Sequence, residues 1–361
     1  MIRTRLFRNA QLIGVLGALA ALGLPIATAA QTAAPRGPSR IQPRLTLSQN
    51  TTSAAPAAPK KSVSAAARRR AAARARAAAQ ARALQDVQEP RFKLDESGAL
   101  VPDLRAEAAI IYDPATGQVL WEENSQNQRS IASITKVMTA VVFLEGSPDL
   151  SPEVVIQRAD VLRASTTYLR AGYKVSTGDL LHLLLIASDN AAARAIARVS
   201  SQGSTGFIVR MNEKAAELGL TNTHYEDSSG LLSANVSSAY DMARLIAYAG
   251  GDERIASIMQ KPHHGVTVGR RTITINSTNQ LVMKGDVDVL GGKTGFIRKA
   301  GYCIATLLRL PQGGPQVAVV VLGARSNAGR FWETRHLFNW FASKAQDLFV
   351  APVEAAAAVT N

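Results

Sequence analysis

The sequence predicts an α/β protein of the α+β type: an antiparallel sheet built from strands at both ends of the folded region, with a block of helices between them. Three observations carry this. Apolar, β-branched runs bounded by turn residues occur near residues 108–122 and again near 302–323, while the stretch between them reads mostly in helical periods. Hydrophobic residues make up 47% of the 361, enough for a sizeable core in one large domain or two small ones. No internal repeat competes with that reading.

The chain opens with Arg3, Arg5 and Arg8, an uncharged apolar run from Leu12 to Ile26, and Ala27-Thr-Ala29. This is the pattern of a secretory signal peptide over residues 1–29. The run of 15 residues is shorter than the roughly 18 to 20 that span a bilayer, so no stable membrane anchor is expected after cleavage. Export to a periplasmic or secreted, envelope-associated location follows. Residues 30–99 read as a disordered basic linker. It is rich in Pro, Ala, Ser and Thr, and then in Ala and Arg from Ala65 to Ala83, a composition that favours helix but carries no apolar stripe.

The net charge of +14 is misleading until it is located. Residues 31–93 hold thirteen Lys or Arg against Asp86 and Glu89, the first 30 add three Arg, and residues 94–361 balance 25 basic against 25 acidic side chains. The basic character belongs to the arm and the folded part is neutral. An anionic envelope polymer suits the arm as a partner; nucleic acid suits the charge but not export.

The folded domain is expected over residues 100–346. Strands are predicted at Ala108–Tyr112 and Gln118–Glu122 around the turn Asp113-Pro-Ala-Thr-Gly117. A helix follows that holds Ser133. Ser176 to Asp179 is an N-cap signal before the apolar run Leu181–Ile186, which reads as core. Helical patterns cover 191–199, 207–218 and 239–249. A hairpin is predicted around Gly269-Arg270, with His263 and His264 in the loop before it. Two apolar strands at 302–309 and 316–323 precede a last helix over 329–344, and residues 347–361 read as a frayed tail. Cys303, the lone cysteine, reads as a small core residue. The five histidines show no metal-ligand spacing, so neither metal nor cofactor is expected.

Chemistry concentrates in three stretches. In "SIASITKVMTA", Ser133 and Lys136 stand three apart, which on a helix puts both on one face, with Cβ atoms about 5–6 Å apart. A lysine held neutral there by burial or a neighbouring cation can take the serine proton and make a nucleophile. "IASDNAAA" places Ser188 and Asn190 at a helix start, where Ser188 can relay a proton and Asn190 can bond Lys136 and a substrate amide. "GGKTGF" places Lys293, Thr294 and Gly295 at a strand: a second positive charge, a carboxylate-binding hydroxyl, and a residue that lets a substrate backbone lie alongside. The N–H groups of Ser133 and Phe296 are the natural oxyanion donors.

In that order, Ser-x-x-Lys, Ser-x-Asn and Lys-Thr-Gly are the signature shared by class A β-lactamases and penicillin-binding proteins. With "NSTNQLV" at 276–282, the region 105–345 resembles the low-molecular-mass penicillin-binding proteins, the S11-type serine D-alanyl-D-alanine peptidases, and most of all their periplasmic endopeptidase branch. The resemblance implies the serine β-lactamase/DD-peptidase fold with a helical subdomain. It implies cleavage of D-Ala-linked bonds in peptidoglycan stem peptides through an acyl-enzyme, at cross-links or at terminal D-Ala, and covalent capture by β-lactams. It also implies a late basic residue holding the substrate carboxylate: Arg330, less securely Arg325. Many family carboxypeptidases carry a second, β-rich domain and an amphipathic anchor after the last helix, where this sequence has about 15 residues. That favours a soluble or loosely wall-associated enzyme. Two other readings share the fold: a serine β-lactamase, which needs a glutamate-bound water and finds only Glu226 in unmatched surroundings, and an inactive wall-binding scaffold.

Overall fold

The computed structural model describes residues 64–269 and 271–357. The predicted signal peptide, the Pro/Ala part of the linker up to residue 63, Arg270 at the hairpin turn and the last four residues lie outside the described residues. The chain divides between Ser62 and Val63, and the described residues all belong to the second unit.

Helix α1 (Ala65–Gln88) runs for 24 residues without a buried side chain. Its Ala/Arg composition suffices for helix, and nothing gives it an apolar face. The second half of the expected linker is more ordered than the sequence suggested. Strand β1 (Phe92–Leu94) pairs antiparallel with β2 (Leu100–Pro102), across a turn closed by Asp95, whose carboxylate accepts the N–H groups of Ser97 and Ala99. Phe92 packs edge-on against His336, and Asp86 bonds Arg105 at 2.8 Å. These side chains, ahead of the boundary expected at residue 100, find partners far along the chain that no local pattern reveals.

The main sheet has five antiparallel strands in the order β11-β12-β13-β3-β4, formed by β3 (Ala108–Tyr112), β4 (Val119–Glu123), β11 (Asp288–Ile297), β12 (Gly301–Arg309) and β13 (Gln316–Ala324). It joins both ends of the domain, as expected. Its inner strands β3, β12 and β13 read as near-continuous apolar runs because both of their faces are covered. Along β13, Ala318, Val320 and Leu322 face one core cluster, while Val317, Val319 and Val321 face the other. The second cluster is covered by α10 (Asn327–Ala357), which continues past Lys344, where the sequence suggested a stop; the Ala-rich stretch after it favours helix.

The first cluster lies under the helical block. After β5 (Arg129–Ser130) comes a 3-10 turn (Ala132–Ile134) and α2 (Thr135–Leu144), every residue of which is buried. Around it lie β6 (Glu153–Val155), α3 (Arg158–Val161), β7 (Lys174–Ser176), α4 (Thr177–Leu185), α5 (Asn190–Val199) and α6 (Gly203–Glu217). Ser176 caps α4 by accepting from Asp179 N at 3.0 Å. Then follow β8 (Val236–Ser237), α7 (Ala239–Gly250), α8 (Glu253–Met259), the hairpin β9 (His263–Val268) with β10 (Arg271–Asn276), and α9 (Gln280–Lys284). His263 and His264 open β9 rather than the preceding loop, because the pairing with β10 extends to Asn276 and Ile275. Among the described residues no helix is long and apolar enough to cross a membrane.

Candidate active site

Ser133 sits on the 3-10 turn that leads into α2, not inside an α-helix. Ala132 before it has φ of +49°, a left-handed conformation that is unfavourable for a side-chain-bearing residue. Two glycines let other segments close on this turn. A Cβ at Gly230, whose φ is +78°, would stand 2.0 Å from Ala132 O. A Cβ at Gly295 would meet Ile131 O at 2.7 Å and Ser133 N at 3.0 Å. Gly295 thus brings β11, the edge strand of the sheet, against the serine's own backbone, where the sequence suggested only the substrate's backbone as its neighbour.

Lys136 is wholly buried one turn further along. Its Nζ lies 2.9 Å from Ser133 Oγ, 2.6 Å from Asn190 Oδ1 and 2.5 Å from Ser229 O. A neutral amine has two hydrogens and one lone pair. Asn190 Oδ1 and Ser229 O take the hydrogens, which leaves the lone pair facing the serine hydroxyl. Burial brings the Lys136 pKa down from 10.5 to about 7, with Asp227 and Asp189 opposing the shift and Arg194 adding to it. Asn190 is oriented by its own amide, which donates to Ala164 O at 2.6 Å. It opens α5, capped by the buried Asp189, whose carboxylate accepts from Ala192 N and Tyr168 N.

Lys293 is buried on β11 and donates to Ser188 Oγ and Thr294 O, both at 2.8 Å. Burial drives its pKa well below the ordinary lysine value, and the neighbouring Lys136 and Arg330 add to the shift. Lys136 itself is lowered chiefly by its own burial, and the cation that adds to its shift is Arg194. Ser188 holds φ of +59°, and its hydroxyl is engaged by Lys293. It stands between the two lysine elements, although no direct bond from it to Lys136 occurs among the described residues. Thr294 Oγ1 is paired with Thr278 Oγ1 at 2.7 Å. Phe296 is half-exposed and stacks on Tyr302, its cross-strand partner on β12.

Arg330 is the residue expected to hold the substrate carboxylate. It is buried, and it donates to Gly295 O at 3.0 Å, to Cys303 O at 3.2 Å and to Asn327 Oδ1. It lies in the first turn of α10, which packs on β13 and β12, and its guanidinium extends to carbonyls of β11 and β12. Arg325, the weaker candidate, is exposed. Glu226 is also exposed, bonded to His224 at 2.8 Å, and is not placed as a water-activating carboxylate.

Sequence reasoning missed the loop around Asp227. Its carboxylate accepts from Ser229 N, Ser229 Oγ, Gly230 N, Leu232 N and Asn235 Nδ2. Burial pushes its pKa up, but these bonds outweigh burial and hold it below the ordinary carboxylate value. The loop so fixed presents Ser229 O to Lys136. The signal available was local: Asp-Ser-Ser-Gly is a side-chain-stabilised turn sequence. Thr278 lies within the Asn276–Val282 motif, but nothing in the sequence assigns it a role of its own.

The region that holds these residues is similar to known proteins. The profile of the Peptidase_S11 family, D-alanyl-D-alanine carboxypeptidase, matches residues 95–326. The D-alanyl-D-alanine endopeptidase of Haemophilus influenzae is 32% identical over 242 residues, which is 66% of this chain and 83% of that one. A D-alanyl-D-alanine carboxypeptidase of Bacillus subtilis is 30% identical over 227 residues, 61% of this chain and 57% of that one. The crystal structure of a Streptomyces DD-transpeptidase matches with a TM-score of 0.61 and 28% identity, covering 66% of this chain and 97% of that one.

Proposed function

The chain belongs to the Peptidase_S11 family of D-alanyl-D-alanine peptidases, and from that premise we propose which of its residues perform the reaction. It is a serine hydrolase of D-Ala-linked bonds in peptidoglycan, with a penicillin-binding fold. Ser133 is the nucleophile and Lys136 the general base. Neutral Lys136 takes the hydroxyl proton as Oγ attacks the carbonyl carbon of the D-Ala residue. The N–H groups of Ser133 and Phe296 hold the oxyanion. The proton passes from Lys136 by way of Ser188 to the leaving nitrogen, the C–N bond breaks, and an ester to Ser133 remains. Water then attacks the ester, gives a proton back through Lys136 to Ser133 Oγ, and releases the carboxylic acid. A β-lactam meets the same attack, but its leaving nitrogen stays tethered in the acyl-enzyme.

Asn190 orients Lys136 and binds the substrate amide. Lys293, Thr294 and Gly295 line the edge strand along which the stem peptide adds. Arg330, reaching across from α10, supplies positive charge and fixes the Gly295 and Cys303 carbonyls. We take cross-links to be the preferred substrate: the endopeptidase relative is matched over most of its length, whereas the carboxypeptidase relative is matched over little more than half. The N-terminal Arg-and-apolar pattern supports export to the periplasm by a signal peptide, and the Arg-rich arm supports contact with anionic envelope polymers.

The observation that carries the catalytic assignment is the Lys136 amine, whose two hydrogens have acceptors and whose third contact is the Ser133 hydroxyl. Mass spectrometry after incubation with a fluorescent penicillin tests it, together with digestion of cross-linked muropeptides. A stable adduct on Ser133, with dimers converted to monomers, is the expected result. An adduct with only terminal D-Ala released would overturn the cross-link preference. No adduct, with dimers untouched, would overturn the catalytic assignment and favour the scaffold.

A further inference from the structure

A second cluster of ligating side chains lies outside this site, where the β9–β10 hairpin rests on α4. Asp179 and His182 stand three apart on α4, and His264 reaches them from β9. One ligand atom from each falls within 4.8 Å of the others. The His182 and His264 rings stack with centroids 3.8 Å apart, and His264 Nε2 lies 3.8 Å from Asp179 Oδ1. Each ligand is held from behind. His182 Nδ1 donates to Gly178 O at 2.9 Å, which makes Nδ1 the protonated nitrogen and Nε2 the one that carries the lone pair. Asp179 Oδ2 accepts from Thr267 N at 2.9 Å, which leaves Oδ1 facing His264. Such outer bonds are what orient ligands in metal sites.

The cluster already holds a cation. The Lys261 amine lies 3.1 Å from His182 Nε2, where a metal ion bonded to that nitrogen would stand. Lys261 is only half-buried, so its flexible stem can carry the ammonium back to solvent.

We propose that Asp179, His182 and His264 form a binding site for a divalent ion of the zinc type, which displaces the Lys261 ammonium and pins the β9–β10 hairpin to α4. Two imidazoles and one carboxylate suit zinc, with water in the fourth position. Bonds of about 2.0–2.1 Å put tetrahedral ligands about 3.4 Å apart, so the site closes by little more than an ångström as the stacked rings fan apart. The consequence reaches the cleft through the chain itself. Beyond β10, Thr278 N donates to Ile186 O just past the end of α4, and Thr278 Oγ1 bonds Thr294. The ion would thus stiffen the wall that carries Thr294.

The test is equilibrium dialysis and thermal melting of the untagged, metal-stripped protein with zinc sulfate. One saturable ion per chain and a raised Tm are expected. His182→Ala and His264→Ala each weaken binding by at least about tenfold, His224→Ala leaves it unchanged, and Lys261→Met tightens it. Acylation by penicillin shows that each variant is folded. Absence of saturable zinc binding to the wild type would overturn the proposal, as would binding that persists undiminished in the folded His182→Ala and His264→Ala variants. Weakened zinc binding in Lys261→Met would overturn the displacement step.

Discussion

The arm and the active-site pocket use positive charge in opposite ways. Helix α1 carries six arginines, all exposed. The pocket carries two lysines, both fully buried, and the pKa of each falls below the ordinary lysine value because water has been removed from around it. In the arm, charge is solvated and acts at long range, where salt screens it. In the pocket, burial brings the Lys136 amine to where it loses its proton near pH 7 and gains a usable lone pair. The formal charge of the chain therefore points away from its chemistry, which lies in the part whose charges sum to zero.

The sharpest way to break this contrast is to remove the pocket's own groups. Ser133→Ala is expected to give no penicillin adduct at all by mass spectrometry. Lys136→Ala should slow acylation by about 10²–10⁴-fold, the range of a positioned general base. The pH profile separates that role from mere packing. The wild-type acylation rate should rise with pH through about 7, as Lys136 loses its proton, and Lys136→Ala should lack that limb. A variant that acylates as fast as wild type, or keeps the limb, would remove Lys136 from the mechanism.

The next effect concerns the backbone that holds the pocket. Gly230→Ala places a methyl group 2.0 Å from Ala132 O at a φ of +78°, so the turn bearing Ser133 must shift. A displacement of about an ångström at a reacting atom costs about 10²-fold. Acylation should fall by that amount while far-UV circular dichroism stays native. Unchanged acylation would show that the turn tolerates the shift. Asp227→Asn is a gentler change. It removes a negative charge that raises the Lys136 pKa, so Lys136 loses its proton at lower pH and the acid limb of the profile moves to lower pH. Movement to higher pH would contradict the electrostatic sign.

How much of this was legible in the sequence depends on how local each feature is. Strands β3, β12 and β13 announce themselves as apolar runs, and Ser133, Lys136, Ser188, Asn190 and Lys293 announce themselves as spaced residue types. The pocket does bring these five together. What the sequence hid depends on distant partners. Ser229 contributes only a backbone oxygen, which has no sequence signature. Thr278 matters because Thr294 lies opposite it. The pattern could not show that Arg330 would also donate to the Gly295 and Cys303 carbonyls. His264 looked like a loop residue until its strand docked beside Asp179 and His182.

The smallest expected effect tests the other side of the contrast. The arm can be altered without touching the fold, provided the change stops short of Asp86, which bonds Arg105, and of Phe92, which packs against His336. Replacing Arg68, Arg69, Arg70, Arg74 and Arg76 with Gln keeps helix-forming residues in place and removes only charge. If the arm holds the enzyme to anionic envelope polymers, sacculus binding by the wild type should weaken steeply between low salt and about 0.15 M, where the Debye length is about 8 Å. The variant should bind weakly at both. Hydrolysis of a small soluble D-Ala-D-Ala peptide should be identical in the two proteins, because none of the five side chains approaches the pocket's hydrogen-bond network. Binding that ignores salt would deny the arm its electrostatic role. A change in small-peptide turnover would break the contrast itself, since it would mean that solvated charge on α1 reaches the amine of Lys136.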